Sequence, residues 1–511
     1  MAKRTAGNRP PPHPPGASRL DELLSGAPVP DTRVALRTDT LSVTYGRLDA
    51  WATLCARRLE RAIGRSGTVI GLFSVAAPAF AAAYYAIPRS GNVIGILSPA
   101  LGGAELEHAL AVTRPGLIVA PAPLIERVRS AGAAVLGRCP AVVDLAALTG
   151  EEDPYLARGT EEGTVRRHSL ELDPDEVACV QFTSGTTGAP KAALLSHANL
   201  CVNAAQITEA HGLGPGSVTL NDLPAYHPMH LNSTIASGAT QVLARAPDAY
   251  EGVLKANSHR ASVLYSLPVR LARLADDGRL TGLRLETVGR VLSGGSALPA
   301  PLSRRLAEHF GVPFLQGYGL AETSPLTHCD SPVGWTPGSV GPVVAGTEHR
   351  LGAVEDAEHG QETGQVWVRG PQVMSGYLDG NEPDPRDGDG WFPTGDVGRV
   401  EGRGKLVLLD RIKDVFKCDN HLVSPSQVEA VLLGHDHVLD AAVVDVPHPL
   451  HGAVPHALVV LRDEARTESV RASVNERLAR HQSLRGLTRV TRIPRTEGGK
   501  LRRRELRSLV T

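Results

Sequence analysis

Apolar segments of strand length alternate with helical segments between residues 69 and 145, and this alternation constrains the fold most strongly. The segment FAAAYYAIPRSG (80–91) reads as a helix that a glycine closes. Four segments read as buried strands: VIGLFSVA (69–76), NVIGILSP (92–99), GLIVA (116–120) and AVVDL (141–145). Strand–helix–strand repeats of this kind predict a parallel sheet covered by helices, in a protein of the α/β class.

Length and composition indicate an ordinary multidomain protein. The 511 residues allow about two to four domains. A net charge of −1 provides no general field for nucleic acid or an anionic membrane, and we find no uncharged apolar run of about 18 residues that would predict a transmembrane helix. The six cysteines are scattered without C-x-x-C pairs, which predicts a reduced, cytoplasmic protein without a zinc site.

The two ends of the chain predict separate units. The proline-rich start has basic residues but no apolar stretch, so residues 1–17 are expected to form a disordered leader rather than a secretory signal. A large domain is predicted for 18–410, and a small α+β domain for 411–511. The small domain contains a predicted helix at 423–432 and strands at 441–446 and 456–461.

Two details of the small domain are open to test. Ser424 is the predicted N-cap of its first helix, and Gln427 completes the spacing of a capping box. The basic run Arg502–Arg504 is typical of a solvated helix face rather than of a nucleic-acid patch.

A run of hydroxyls and glycines, TSGTTGAPK (183–191), follows a predicted buried strand at 179–182. Its glycines allow backbone conformations in which amide N–H groups converge on an anion, and its lysine adds charge. The run lacks the Lys-Ser/Thr pair of a Walker loop, and the plainer alternative is a polar turn between strands. The composition favours a loop that holds polyphosphate, through Thr183, Ser184, Gly185, Thr186, Thr187 and Lys191.

Four later segments supply other groups that a nucleotide site needs. YGLAET (318–323) has a carboxylate beside a hydroxyl, which suits magnesium and phosphate oxygens. TGD (394–396) has a carboxylate that can accept from both hydroxyls of a ribose. VLSGGSALP (291–299) has glycines that let the backbone approach a flat ring, and PRTEGGK (494–500) ends in a lysine after two glycines.

Together with LPAYH (223–227) and DRIKD (410–414), these segments resemble the motifs of the AMP-forming adenylating enzymes, and the likeness spans residues 20 to 506. That superfamily contains acyl-CoA synthetases, peptide-synthetase adenylation domains and beetle luciferases. The resemblance implies a large N-terminal domain of parallel-rich sheets covered by helices plus a β-barrel-like part, and a small mobile α+β C-terminal domain. It also implies the reaction, in which an acid oxygen attacks the α-phosphate of ATP and pyrophosphate leaves.

The resemblance assigns roles to single residues. Lys500 would drive adenylation, and Lys413 would be the hinge on which the small domain turns. Glu322 would bind Mg²⁺ and Thr323 would touch phosphate. The remaining nucleotide contacts would come from Tyr318 and Gly319 with Gly295, Ser296 and Ala297 at adenine, and from Asp396 and Arg411 at ribose. The acid pocket would be formed by Tyr226, His227, His230, Gly294 and Gly317.

Two departures from the superfamily pattern concern the acid and its acceptor. His230 stands where glycine is common, which predicts a small, polar or otherwise altered acid pocket. Asn420 replaces a glycine beside the expected path of the CoA thiol, so its side chain occupies space there.

These departures leave three hypotheses open. The first is a ligase that adenylates a small or aromatic carboxylic acid and passes it to CoA or a carrier protein. The second is a diazotase, which activates nitrite with ATP and transfers the nitrosyl group to an aryl amine. The third is a nucleotide-binding protein without catalysis, against which Glu322, Asp396, Arg411 and Lys500 together argue.

Overall fold

The computed structural model describes residues 5–6, 10–13, 17–137, 140–150, 176–183, 190–221, 228–352, 363–378, 383–419, 421–462, 467–495 and 500–510. Within these ranges the chain forms four sheets, of seven, eight, five and five strands, with helices packed on them. The α/β fold with parallel-rich sheets and a smaller α+β C-terminal part is as predicted. The boundaries 17/18 and 410/411 stay predictions.

The seven-stranded sheet contains the segments whose alternation predicted it. Its strands, in spatial order, are Gly376–Tyr377, Ala192–Ser196, Val177–Phe182, Val93–Leu97, Val69–Phe73, Leu117–Ala120 and Val142–Asp144. The last five pair in parallel, and the first two are antiparallel additions at one edge. The helix predicted between the strands Val69–Phe73 and Val93–Leu97 spans Pro78–Arg89. Gly91, two residues after its end, has a left-handed φ of +73°, as a closing glycine should.

The eight-stranded sheet combines two strands from the start of the chain with six strands from residues 218–329. Its spatial order is Leu326–Cys329, Phe314–Gly319, Arg290–Ser293, Val263–Ser266, Val218–Asn221, Thr240–Leu243, Val34–Arg37 and Ser42–Thr44. The six inner strands pair in parallel, and the two edge strands are antiparallel. Parallel strands of this kind are buried on both faces, which explains their continuous apolar runs.

Helices cover both sheets. They span Glu22–Ser25, Tyr45–Ile63, Pro78–Arg89, Gly103–Thr113, Ala122–Leu136, Leu145–Thr149, His197–Ala210, Met229–Ala236, Ala249–Ser258, Pro268–Ala275 and Ala300–Phe310. The helix Pro78–Arg89 is almost wholly buried, and Tyr84 and Tyr85 on it both bond to the side chain of Asn232. Among the described helices, none combines the length and apolarity needed to cross a bilayer.

A five-stranded sheet forms the part that was predicted to be β-barrel-like. Its strands are Thr5–Ala6, Glu348–Gly352, Thr363–Arg369, Phe392–Glu401 and Lys405–Arg411, all paired antiparallel. Thr5 and Ala6 fall inside the predicted disordered leader. This part of the leader packs as an edge strand instead, because the strand Glu348–Gly352 offers it unpaired backbone groups.

The C-terminal part has its own sheet and core. The strands are His421–Val423, Phe416–Cys418, Gly452–Leu461, Val438–His448 and Gly486–Arg489, and the helices are Pro425–Leu433, Thr467–Asn475 and Arg503–Arg507. Its two predicted strands form the long antiparallel pair Val438–His448 and Gly452–Leu461. One face of the sheet packs on the first two helices through buried aliphatic side chains, including Val428, Leu432 and Val470.

The predicted capping box of the helix Pro425–Leu433 is wrong. The Ser424 hydroxyl makes no capping bond; it donates to Asp410 Oδ2 at 3.0 Å, and that same carboxylate oxygen accepts the Ser426 N–H at 2.8 Å. The Gln427 side chain accepts instead from Gln482 at 3.1 Å. A carboxylate from the preceding sheet therefore caps the first helix of the small domain, which ties the helix to the chain just before residue 411.

The prediction of a solvated basic face is also wrong at Arg503. Its side chain is buried and lies 2.6 Å from the Glu429 carboxylate, whereas Arg502 is exposed and pairs with Glu505 on its own helix. Burial is possible because Glu429 supplies the opposite charge inside the small domain.

We expect Asp410→Ala to loosen the helix Pro425–Leu433, because two hydrogen bonds at its N-terminus are lost. Loss of a helix cap costs about 1 kcal/mol, so amide exchange in this helix should rise roughly fivefold, measured by hydrogen–deuterium exchange and mass spectrometry. Gln427→Ala, at an exposed position of the same turn, should change this exchange little. Equal effects of the two substitutions would show that Asp410 is not the cap.

Candidate active site

A cleft of about 1900 Å³ separates the two large sheets from the C-terminal part. One wall contains residues within two positions of the carboxyl ends of parallel strands: Ser74, Ser98, Asn221, Gly295 and Gly317. The opposite wall contains Arg411, Glu429, Lys500 and Arg503. Ligands of open α/β sheets bind outside the carboxyl ends of the strands, so this cleft is the expected ligand site.

Tyr318, Asp396 and Arg411 form one bonded group in the cleft. Asp396 and Arg411 are opposite each other on paired strands, and the Arg411 guanidinium lies 2.6 Å from the Asp396 carboxylate. The Tyr318 hydroxyl donates to the same carboxylate at 2.5 Å. Burial raises the pKa of Asp396, while the charges of Arg411 and Lys500 and the Tyr318 hydrogen bond oppose this rise. The group brings together residues from the eight-stranded and the five-stranded sheet.

Glycines beside Tyr318 allow close contact between neighbouring backbone segments. A Cβ on Gly319 would lie 1.8 Å from the Pro325 carbonyl oxygen, and one on Gly294 would lie 3.3 Å from the Gly317 carbonyl oxygen. Gly295 has a φ of +85°, a conformation that side chains disfavour. The predicted contact of Gly294, Gly295, Ser296 and Ala297 with a flat ring stays a prediction.

A second polar group surrounds Tyr377. Its hydroxyl donates to Glu322 Oε1 at 3.0 Å, and the Lys191 ammonium lies 5.2 Å from the centre of its ring. Tyr377 reaches this place because its short strand pairs with the strand that follows Lys191. Sequence analysis missed Tyr377, since no local pattern indicates a contact with Glu322.

The hydroxyl-rich loop is anchored at both ends. The Thr183 N–H donates to the Lys191 carbonyl at 2.8 Å, and the Lys191 N–H donates to the Thr183 hydroxyl at 3.0 Å. The strands on either side, Val177–Phe182 and Ala192–Ser196, pair antiparallel. Ser184, Gly185, Thr186 and Thr187 lie outside the described residues, so their predicted phosphate contacts stay predictions.

Thr323 is held by its own loop, and its predicted contact with phosphate stays a prediction. Its side chain is fully buried, and its hydroxyl accepts the Leu320 N–H at 3.0 Å and lies close to the Pro325 carbonyl oxygen. In this conformation Thr323 therefore holds the turn that carries Glu322, because its polar atoms are engaged by its own loop.

Lys500 connects the two polar groups electrostatically. Burial and the positive charges of Arg411 and Lys413 lower the pKa of Lys500 to about 8, and the negative charges of Asp396 and Glu322 oppose this. These four charges come from three different regions of the chain, and all act on the one ammonium group. Residues predicted to be catalytic and nucleotide-binding are thus brought together around Lys500.

The proposed hinge residue Lys413 lies just beyond the end of the five-stranded sheet. The Ile412 N–H donates to the Gly395 carbonyl at 2.9 Å, so the chain stays attached to that sheet as far as residue 412. The turn beyond it leads into the C-terminal sheet at Phe416–Cys418. The hinge role itself stays a prediction.

His230 lies in a buried group of aromatic rings. Its ring stacks on Tyr265 with 3.8 Å between centroids, and the Tyr265 hydroxyl lies 3.0 Å from His211 Nδ1. Burial and the charge of Arg290 lower the pKa of His211 to about 3, so His211 is neutral at pH 7. Tyr226 and His227 lie outside the described residues, as does Asn420. Of the predicted pocket, the structure describes His230, Gly294 and Gly317.

The cleft, its two polar groups and the partly buried lysine from the C-terminal part define an ATP-dependent, AMP-forming ligase. The chain belongs to the AMP-binding enzyme family, whose model matches residues 26–378. The AMP-binding enzyme C-terminal domain matches residues 427–500.

Two acid–CoA ligases are similar to this chain over most of their length. The chain is 30% identical to feruloyl-CoA synthase of Amycolatopsis sp, over 93% of this chain and 95% of that protein. It is 27% identical to 4-coumarate–CoA ligase of Pinus taeda, over 80% of this chain and 81% of that protein.

Solved structures agree on the fold. ATP-bound MatB from Rhodopseudomonas palustris is 26% identical with a TM-score of 0.85, covering 96% of this chain and 99% of that chain. The apo structure of MatB covers the same shares with a TM-score of 0.74.

We expect Gly319→Ala to weaken ATP binding, because the new methyl group overlaps the Pro325 carbonyl and displaces the turn that carries Glu322. Overpacking of this kind costs about 1–3 kcal/mol, and a loss of about 1.4 kcal/mol in binding raises the Kd for ATP tenfold. Calorimetric titration with ATP measures the change. Gly282→Ala is the matched control, since nothing lies within 4 Å of a Cβ there; an unchanged Kd in the Gly319 variant would contradict the assignment of this turn.

Proposed function

We propose that this enzyme adenylates a small or aromatic carboxylic acid with Mg-ATP and then transfers the acyl group to the thiol of CoA. The observation that carries the proposal is the convergence on Lys500 of the charges of Asp396, Arg411 and Glu322, inside one cleft. The names of the similar enzymes, feruloyl-CoA synthase and 4-coumarate–CoA ligase, support an acid and CoA as the other reactants.

In this proposal, the group around Asp396 holds the nucleoside of ATP. Tyr318 would present its ring to adenine, with Gly319, Gly295, Ser296 and Ala297 forming the walls. Asp396 would accept from the ribose hydroxyls, with Arg411 alongside. The existing hydrogen bond from Tyr318 to Asp396 supports this, because it aligns the ring with the carboxylate before ATP arrives.

The group around Tyr377 would hold the phosphates. Lys191 carries positive charge to one end of the hydroxyl-rich loop, whose residues Thr183, Ser184, Gly185, Thr186 and Thr187 would donate to pyrophosphate. Glu322 would be the protein ligand of Mg²⁺. Glu322 fits this ion, because Mg²⁺ is usually held by one or two carboxylates together with phosphate and water oxygens. When bound, Mg²⁺ would neutralise phosphate charge.

Lys500 would supply the cation at the reacting centre. Negative charge develops on the oxygens around the α-phosphorus as the acid oxygen attacks and pyrophosphate leaves. A protonated amine held in place before the reaction stabilises this charge without reorganisation of solvent. The attack of the acid oxygen on phosphorus requires the two reactants to be held in line, and it requires no proton transfer. The described residues around Lys500 accordingly supply charge.

The acid would bind beside Gly294 and Gly317, on the side of the cleft nearer to His230. The stacked rings of His230 and Tyr265 would make the end of this pocket aromatic and polar, which suits a flat acid with a polar substituent. This supports the aromatic acids among the possible substrates. The acceptor is proposed to be CoA, with a carrier protein as the alternative.

The reaction is tested by measuring pyrophosphate and AMP with ATP, Mg²⁺ and single acids. The panel contains benzoate, 4-coumarate, ferulate and anthranilate, short aliphatic acids, and nitrite with an aryl amine, each with and without CoA. We expect AMP with at least one aromatic acid and an acyl-CoA product. Product formation from nitrite and amine alone would overturn the proposal in favour of a diazotase.

In the same assay, Lys500→Ala should lower adenylation by roughly 100-fold or more, the loss typical of removing one preorganised group at a reacting oxyanion. ATP binding should persist. Lys255→Ala, on the surface and paired with Asp39, is the control. Near-normal turnover of the Lys500 variant would refute the role of this lysine.

The pH dependence of adenylation should follow Lys500. The protonated form of Lys500 is the active form, and the pKa of Lys500 is about 8. We therefore expect kcat/KM to be independent of the ionisation of Lys500 well below pH 8 and to fall as the pH rises through 8. Bound phosphates stabilise the ammonium, so the fall in kcat should lie at higher pH. Lys500→Arg stays charged, and its residual activity should show no decline near pH 8. The same decline in that variant would assign it to another group.

A further inference from the structure

A buried arginine three residues beyond Lys500 joins several elements of the small domain. The Arg503 guanidinium donates from Nη1 to Glu429 Oε1 at 2.6 Å and to the Val443 carbonyl at 2.6 Å, and from Nη2 to Glu429 Oε2 at 3.3 Å. The Glu429 carboxylate also accepts the Val443 N–H at 2.8 Å. Arg503 is 9% exposed and Glu429 8%, so the pair is shielded from water and its geometry is tightly defined.

The same arginine reaches towards the proposed hinge. Arg503 Nε lies 3.6 Å from Asp414 Oδ2, in the turn that follows Lys413. Burial raises the pKa of Asp414, and the positive charge of Arg503 has the largest opposing effect. Arg503 therefore links the helix Pro425–Leu433, the strand Val438–His448 and the hinge turn to the segment that carries Lys500.

The loop before Lys500 is fixed at its other end as well. Arg495 donates to Asp440 at 2.6 Å, and Arg495 forms a β-bridge with Leu501. The Arg502 N–H donates to the Pro494 carbonyl at 3.2 Å. Lys500 thus directly precedes a backbone bridge at Leu501, and the residue on the other side of that bridge, Arg495, is itself held by Asp440.

We propose that Arg503 is a positioning residue for Lys500: its buried bonds to Glu429 and Val443 fix the segment 500–503 on the small domain, so that the lysine enters the cleft. Arg503 acts through Lys500 and does not contact the reacting atoms. The proposal rests on the proposed catalytic role of Lys500, but the placement of the lysine can be measured without any acid substrate.

The physical reason is the short connection between the two residues. Three residues span at most about 10 Å, so Lys500 cannot move far from a fixed Arg503. Arginine suits the position because its planar fork binds both oxygens of a carboxylate and a carbonyl in one fixed geometry, whereas the ammonium of a lysine is a point charge that does not fix this geometry. The charges that act on the pKa of Lys500 are Arg411, Lys413, Asp396 and Glu322, so a changed Lys500 pKa in an Arg503 variant would report movement of the lysine.

The test measures the titration of Lys500 in the full-length protein by its rate of acetylation with acetic anhydride across pH, followed by mass spectrometry. In the wild type the midpoint should lie near pH 8. In Arg503→Gln and in Glu429→Gln it should move towards about 10.4, the value of a solvated lysine. Arg502→Gln removes the same charge one residue earlier from an exposed position, and its midpoint should stay near pH 8.

Two variants separate positioning from loss of the fold. Glu429→Gln is nearly isosteric and keeps an acceptor for the Val443 N–H. The double variant Arg503→Met/Glu429→Leu replaces the ion pair by apolar groups, an exchange that buried ion pairs often tolerate. Amide exchange in the helix Pro425–Leu433 shows whether the domain is folded. A folded variant of either kind whose Lys500 midpoint remains near pH 8 would overturn the proposal.

Activity supplies the second readout. With an acid that releases pyrophosphate in the wild type, Glu429→Gln should lower kcat for adenylation at least tenfold while KM for ATP changes less than threefold, because the nucleotide-binding residues are untouched. If no acid is turned over by the wild type, the proposed function fails, yet the acetylation midpoints still decide whether Arg503 places Lys500.

Discussion

The buried charge of Asp396 is the constraint on which the site depends. A carboxylate at this depth is unfavourable without partners, and here it has two, a guanidinium from the next strand and a phenol from the eight-stranded sheet. These two bonds to Asp396 fix the eight-stranded and the five-stranded sheet against each other at one point. It also fixes the end of the strand Lys405–Arg411, after which the chain leaves for the small domain.

Charged side chains from distant parts of the chain meet around this point. Lys191, Arg411, Lys413 and Lys500 lie on the same side of the molecule as the carboxylates of Glu322 and Asp396. Burial lowers the pKa of Lys500, and the charges of Arg411 and Lys413 lower it further. A polyphosphate bound beside this lysine would favour its charged form, because it brings negative charge to the ammonium group.

The small domain contributes rigidity as well as a lysine. Asp410 caps its first helix from the sheet side, and Arg503 ties its last segment to that same helix through Glu429. The helix Pro425–Leu433 is thus bound at both its beginning and its second turn to elements near the proposed hinge. Movement of the small domain would carry Lys500 as part of one body, which keeps the lysine in a defined geometry.

The sequence alone determined the class of fold and the family, and it predicted where the nucleotide site lies. Apolar runs of strand length between helices leave a parallel sheet as the way to bury them, and loops such as 183–191 carry their chemistry in neighbouring residues. The tertiary structure decided what depends on distant partners: Tyr377 beside Glu322, Asp410 as a helix cap in place of Ser424, and the burial of Arg503. The local sequence pattern carries no information on these contacts. A basic run predicts a solvated surface, and only the tertiary structure shows that a buried carboxylate pairs with one of its arginines.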